Sequence, residues 1–124
     1  MSDERPLDEE LDYDLYRKGL AAFERGAFQE AEVLFEASLE VREHWKTLER
    51  IGECAWRLRK VEKAIVSLKK GVALGRLSKT PHLLAQVYLE RGEIAEARRS
   101  LEEALRRNPQ YHPSLKLLRQ LDER

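Results

Sequence analysis

The sequence predicts an all-α protein, an α-solenoid of three helix-turn-helix repeats closed by a C-terminal capping helix. Three observations carry this prediction. Gly19, Gly52 and Ala85 stand 33 residues apart, and so do Ala31, Ala64 and Ala97, twelve residues further along each unit. A period of about 20–50 residues marks units that cannot bury an apolar face alone and so stack on their neighbours. Leu, Ala, Glu, Arg and Lys dominate while β-branched residues are few, which favours helix almost everywhere, and no run alternates like a strand. Each period is split by a short turn signal, Arg25-Gly26, Arg59-Lys60 or Arg91-Gly92, into two amphipathic stretches of about three turns.

The elements follow in order. Residues 1–11 are an acidic arm that can extend the first helix, since Leu7, Leu11 and Leu15 fall at i, i+4 and i+8. Residues 1–14 hold Asp3, Glu4, Asp8, Glu9, Glu10, Asp12 and Asp14 against Arg5 alone, which leaves a net +6 on the rest. The arm is either a solvated tail suited to a helix N-terminus or a segment that lies over the basic body and competes with a partner. The repeats occupy about 12–44, 45–77 and 78–111. Thr80 reads as an N-cap with Pro81 at the first helical position. Asn108-Pro109 ends the third unit and Pro113 opens a capping helix within 112–124, with Leu115, Leu118 and Leu121 on one face and Lys116, Arg119, Gln120 and Glu123 mostly on the other.

Small residues at Gly19, Gly52 and Ala85 are expected to face Ala31, Ala64 and Ala97, because helix axes approach to about 8–10 Å where side chains at the crossing are minimal. Each unit continues with a bulky apolar residue and then a small-plus-apolar pair: Phe35 and Ser38-Leu39, Leu68 and Gly71-Val72, Leu101 and Ala104-Leu105. In this pattern, with Tyr88, Gly92 and Pro109, residues 12–111 resemble tetratricopeptide repeats. The chain departs from the family in carrying Leu15, Leu48 and Pro81 at its usual tryptophan position, Glu43 and Arg76 at the terminal proline of units one and two, and a 33-residue spacing in place of 34.

The resemblance implies that the first helix of each unit lines a concave groove, with the second, fifth, ninth, twelfth and thirteenth positions exposed. Those are Tyr13, Tyr16, Leu20, Phe23 and Glu24; Lys46, Glu49, Glu53, Trp56 and Arg57, with Arg50 adjacent; and Lys79, His82, Gln86, Leu89 and Glu90. The aromatic stripe Tyr13, Tyr16, Leu20 and Phe23 lies on one helix face, and tyrosine offers apolar area and a polar tip at small entropic cost. Phe23, Trp56 and Leu89 share a register that can instead pack against the next repeat. The family's clamp for acidic chaperone tails would fall on Tyr16, Leu20, Arg50, Lys79 and Leu83, and only Lys79 matches, so that mechanism is not implied.

Lys plus Arg equals Asp plus Glu at 23 each, so no global field recruits nucleic acid or an anionic membrane. His44, His82 and His112 form no metal-ligand spacing, there is no glycine-rich phosphate loop or nucleophile set, and Cys54 sits at the register of Ala21 and Val87, that of a packed small residue. The reading is a non-catalytic protein-interaction module, an adaptor or scaffold, with no metal or cofactor. It would bind a peptide or amphipathic helix in the groove. A small secretion-type chaperone is the alternative, and nucleic-acid binding through Arg57, Arg59, Lys60, Lys63, Lys69 and Lys70 has less support because Trp56 alone could stack bases. An exposed aromatic patch also allows a weak homodimer. The chain shows neither a signal peptide nor an apolar run long enough to span a bilayer, so a cytoplasmic location is expected.

Overall fold

The structure is a computed structural model that describes the backbone of residues 4–123 and the side chains of residues 10–123. Residues 1–3 of the acidic arm, the side chains of residues 4–9 (Leu7 among them) and Arg124 of the cap lie outside the described residues. Seven helices follow one another: α1 (Glu4–Glu24), α2 (Phe28–Val41), α3 (Trp45–Arg57), α4 (Val61–Leu74), α5 (Lys79–Glu90), α6 (Ile94–Arg107) and α7 (His112–Asp122). Helices α1 and α2, α3 and α4, and α5 and α6 pack as pairs, each pair contacts the next, and α7 lies against α6.

The three hairpin turns share one geometry. Gly26, Arg59 and Gly92 all take left-handed φ values of 79°, 67° and 77°. In each, the following N–H reaches back five residues to a carbonyl: Ala27 to Ala22, Lys60 to Ala55 and Glu93 to Tyr88, at 2.7–2.9 Å. This Schellman-type closure satisfies carbonyls that the helix end would leave open, and it requires a residue tolerant of positive φ. Arg59 adopts it without glycine's freedom.

At the crossings of units one and two, the atoms nearest each glycine belong to a bulky side chain. A Cβ added to Gly19 would lie 2.7 Å from Phe35 Cε1, and one added to Gly52 would lie 2.6 Å from Leu68 Cγ. Each glycine therefore receives the bulky residue four positions beyond the expected alanine. A missing side chain on one helix is filled by a large one from the other, the closest packing available to interdigitating ridges. Phe35 and Leu68 are fully buried, as are Ala85 and Leu101 at the same registers of the third unit.

Two further expectations are corrected. Helix α5 begins at Lys79 after Ser78, so Thr80 lies inside the first turn, 1 % exposed, and its hydroxyl donates to Glu49 Oε2 at 2.5 Å. Ser78 spends its hydroxyl on the Ala104 carbonyl at 2.7 Å, tying the start of α5 to α6. Asp12, counted in the sequence among the arm's acids, is buried: Ser38 Oγ donates to its Oδ1 at 2.5 Å and Arg42 Nε to its Oδ2 at 3.0 Å. It pins α1 to the last turn of α2.

The cap closes the far end. Leu121 is buried, Leu117 and Leu118 pack on the same core, and Arg98 pairs with Asp122 at 2.7 Å. Cys54 is fully buried in the cluster of Ala22, Ala31, Phe35 and Ile51, and its burial pushes the thiol up to about 12. A thiol so placed packs as a small apolar residue and forms no thiolate near neutral pH.

Candidate functional site

Recesses open between α1 and α3 and between α3 and α5, and the groove residues expected from the sequence divide into three groups. The first is apolar and belongs to unit one. Tyr13 is 63 % exposed. Tyr16, Leu20 and Phe23 are only partly buried and pack on the unit-one core, with Tyr16 5.4 Å from the Phe35 ring and Phe23 edge-on to Phe28 at 5.2 Å. The stripe is thus rooted in the core at three of its four members. Tyr13 and Tyr16, with Lys46, His44 and Arg42, line a recess of about 230 Å³ between the middle of α1 and the start of α3.

The second group is charged. The Arg50 guanidinium sits 5.5 Å from the Phe23 ring centroid and 3.4 Å from Glu53, and its buried Nε meets no hydrogen-bond partner. Burial raises the pKa of Glu53, while Lys79 and Arg50 nearby pull it down. A cleft of about 550 Å³ runs between α3 and α5, lined by Glu53, Trp56, Arg57, Arg59, Leu83, Gln86 and Glu90. The Trp56 indole N–H donates to Glu90 Oε2, and Arg59 Nη1 reaches Glu90 Oε1 at 2.6 Å. Lys46, Arg57 and Lys79 are exposed along the same side.

The third group comprises Glu49 and His82, which the structure removes from the open surface at 3 % and 8 % exposure. Both occupy the fifth position of their units, which leans onto the start of the next stacked helix. Glu49 accepts from Thr80, and His82 Nδ1 lies 2.9 Å from Ser114 Oγ. Burial in so dry a seam demands a partner for each polar group, and it holds the His82 pKa below its ordinary 6.5. Both are interface residues between units.

Leu83 and Arg59 were not among the sequence-predicted groove residues. Arg59 was legible in principle, because the register holding glycine in units one and three places any side chain there at the end of α3. Half of the basic cluster of unit two is paired with carboxylates. Lys60 and Lys63 pair with Glu32 at 2.7 and 2.8 Å, Lys63 also pairs with Glu36 at 2.7 Å, and Arg59 pairs with Glu90. Among the described residues no cluster of His, Cys, Asp or Glu could hold a metal ion, and no helix is long and apolar enough to cross a membrane.

Sequence-family models described as tetratricopeptide repeat match residues 15–76 and 82–111. No curated protein matches by sequence. Among solved structures, the first tetratricopeptide domain of Spaghetti (RPAP3), bound to an HSP90 peptide, is similar at a TM-score of 0.86 and 19% identity, over 92% of each chain. The type III secretion chaperone SycD of Yersinia enterocolitica, in complex with a peptide of the translocator YopD, is similar at 0.78 and 20% identity, over 90% of this chain and 86% of that one. PcrH, in complex with the chaperone-binding region of PopB, is similar at 0.79 and 18% identity, over 87% and 92%.

Proposed function

The chain belongs to the tetratricopeptide repeat family, and on that premise we propose that it is a non-catalytic interaction module, working in the cytoplasm, that takes a peptide or amphipathic helix of a protein partner along α1, α3 and α5. The observation that carries the reading is the concave face itself. It carries a recess walled by Tyr13 and Tyr16 between α1 and α3 and a charged cleft at Glu53, Arg57 and Gln86 between α3 and α5. Aromatic anchors set in half-buried positions, flanked by exposed charges, are the composition that holds a helix's apolar stripe and orients its polar edge. The carboxylate clamp of chaperone-tail binders is no part of this reading, since Tyr16 and Leu20 occupy two of its positions.

Affinity capture from native lysate tests the reading, with wild type beside Tyr13→Glu/Arg57→Glu on the concave face and Val66→Glu on the outer face of α4. A protein retained by wild type and the outer-face variant and lost from the concave variant supports it. Equal retention by all three removes the groove from the interaction.

A second reading, a secretion-type chaperone, is favoured by the likeness to SycD and PcrH over nearly their whole length. Here the retained protein would be an aggregation-prone subunit, held stoichiometrically and kept soluble. An adaptor's partner would stay soluble without it.

A further inference from the structure

The concave side carries cations that the protein itself leaves unpaired. Lys46, Arg57 and Lys79 hold no carboxylate within 4 Å among the described residues, although Arg57 lies 5.3 Å from the Phe28 ring centroid and Glu53 sits near Arg50, Arg57 and Lys79, whereas neighbouring Arg17, Lys18, Arg25, Lys60 and Lys63 are all paired. Arg50 adds a buried Nε–H without an acceptor. The opposite charge sits at the other end of unit one. Helix α1 starts at Glu4, two turns ahead of Asp12, whose register in unit two is Trp45, the first residue of α3. Asp12 is bound at the last turn of α2, so residues 4–11 run past the end of the hairpin for about 12 Å at 1.5 Å per residue. Leu11 on this stretch is 50 % exposed. Because the helix is unbroken from Glu4 to Glu24, its acidic turns continue along the axis of α1 and cannot fold back across the molecule's own groove.

We propose that the face formed by α3 and α5, from Lys46 and Lys79 at the helix starts to Arg57, receives the acidic N-terminal turns of α1 from a second copy of this chain. The acids face Lys46, Arg57 and Lys79, and Leu7 and Leu11 share one face of the docked helix. Charge complementarity selects this occupant: residues 1–14 are the acid-rich segment of the chain, and the groove's free cations are its counterpart. The inference rests on the groove reading above and names one ligand for it. Self-docking would compete with any other partner, so association between copies would regulate access to the groove.

Sedimentation velocity on the full chain tests it, over a range of concentrations at about 20 mM and about 500 mM salt. The expected result is a mass that rises with concentration at low salt, with association weakened about tenfold or more at high salt. Arg57→Glu/Lys79→Glu and Glu4→Lys/Asp8→Lys, each verified as folded by circular dichroism, are each expected to be monomeric. Mixed in equal amounts, the two are expected to associate again, because the unaltered acidic arm of the first variant meets the unaltered groove of the second. A wild type that is monomeric at low salt, association untouched by either reversal, or a mixture that stays monomeric overturns the proposal. If the wild type is monomeric while Arg57→Glu/Lys79→Glu still loses a captured protein, self-docking falls and the groove reading stands, with the cations assigned to that partner. If self-association follows the charge swap while capture ignores the groove, the groove reading for foreign partners falls instead.

Discussion

The glycine crossings within the hairpins and the seams between hairpins are built from different chemistry, although the ends of hairpins one and three also bury the Ser38–Asp12 and Ser78–Ala104 hydrogen bonds. Inside, a glycine is filled by a large apolar side chain, Phe35 against Gly19 and Leu68 against Gly52. At the seams, apolar packing is joined by polar pairs that change from junction to junction: the part-exposed Lys60 and Lys63 with buried Glu32 between units one and two, buried Glu49 with Thr80 between two and three, and buried His82 with Ser114 between three and the cap. The difference teaches where the period is enforced. A hairpin must solve the same steric problem in every unit, so it reuses residues in phase. A seam need only satisfy whatever it buries, and many pairs of side chains can do so.

The largest effect should come from breaking a hairpin crossing. Gly52→Leu places a branched side chain where even a Cβ meets Leu68 at 2.6 Å, and overpacking of this kind costs about 1–3 kcal/mol. Urea denaturation should place it at the upper end, with partial recovery on adding Leu68→Ala. An unchanged midpoint would dissolve the crossing assignment. Breaking a seam should cost somewhat less. Thr80→Val leaves the buried Glu49 carboxylate without its donor, a loss of about 1–3 kcal/mol. Glu49→Leu added to Thr80→Val should return most of it, since removing both partners of a buried pair leaves no orphan.

A smaller change, and a gain, is expected at the turn. Arg59→Gly relieves a side chain held at φ 67° and gives up only an exposed guanidinium's pairing with Glu90, for a net stabilisation of about 0.5–1 kcal/mol. A loss of stability in that variant would show that the Glu90 contact outweighs the strain. The smallest effect lies in the cap seam and depends on pH. The folded-state pKa of His82 is below 6.5, so beneath that value the unfolded chain takes up the proton more readily. Its contribution to stability is complete above pH 6.5 and is lost as pH falls toward the folded value. Hydrogen exchange in α7 should quicken on that acidification, and His82→Asn should flatten the dependence.

The same division explains what the sequence could tell. The period, the turn positions and the cap were legible because every unit repeats the constraint that produces them. The glycine's true partner was missed because alignment shows which registers are small and not which side chain fills the space. Thr80 looked like a cap because it precedes proline, yet the Glu49 carboxylate, 31 residues earlier, claims its hydroxyl. Glu49 and His82 looked like groove residues because register gives a helix face without saying how far the next unit overlaps it. Asp12 was hidden among six other acids in residues 1–14, with only its coincidence with the start of the repeat to distinguish it.

The chain's lone cysteine turns its own burial into a clock. Cys54 is fully enclosed by residues from both of the first two units, with its thiol raised to about 12. An alkylating reagent can reach it only when those units part or the chain unfolds. The rate at which label accumulates at neutral pH therefore counts openings of one chosen joint, without a probe having to be engineered, and a ligand bridging α1 and α3 would slow it.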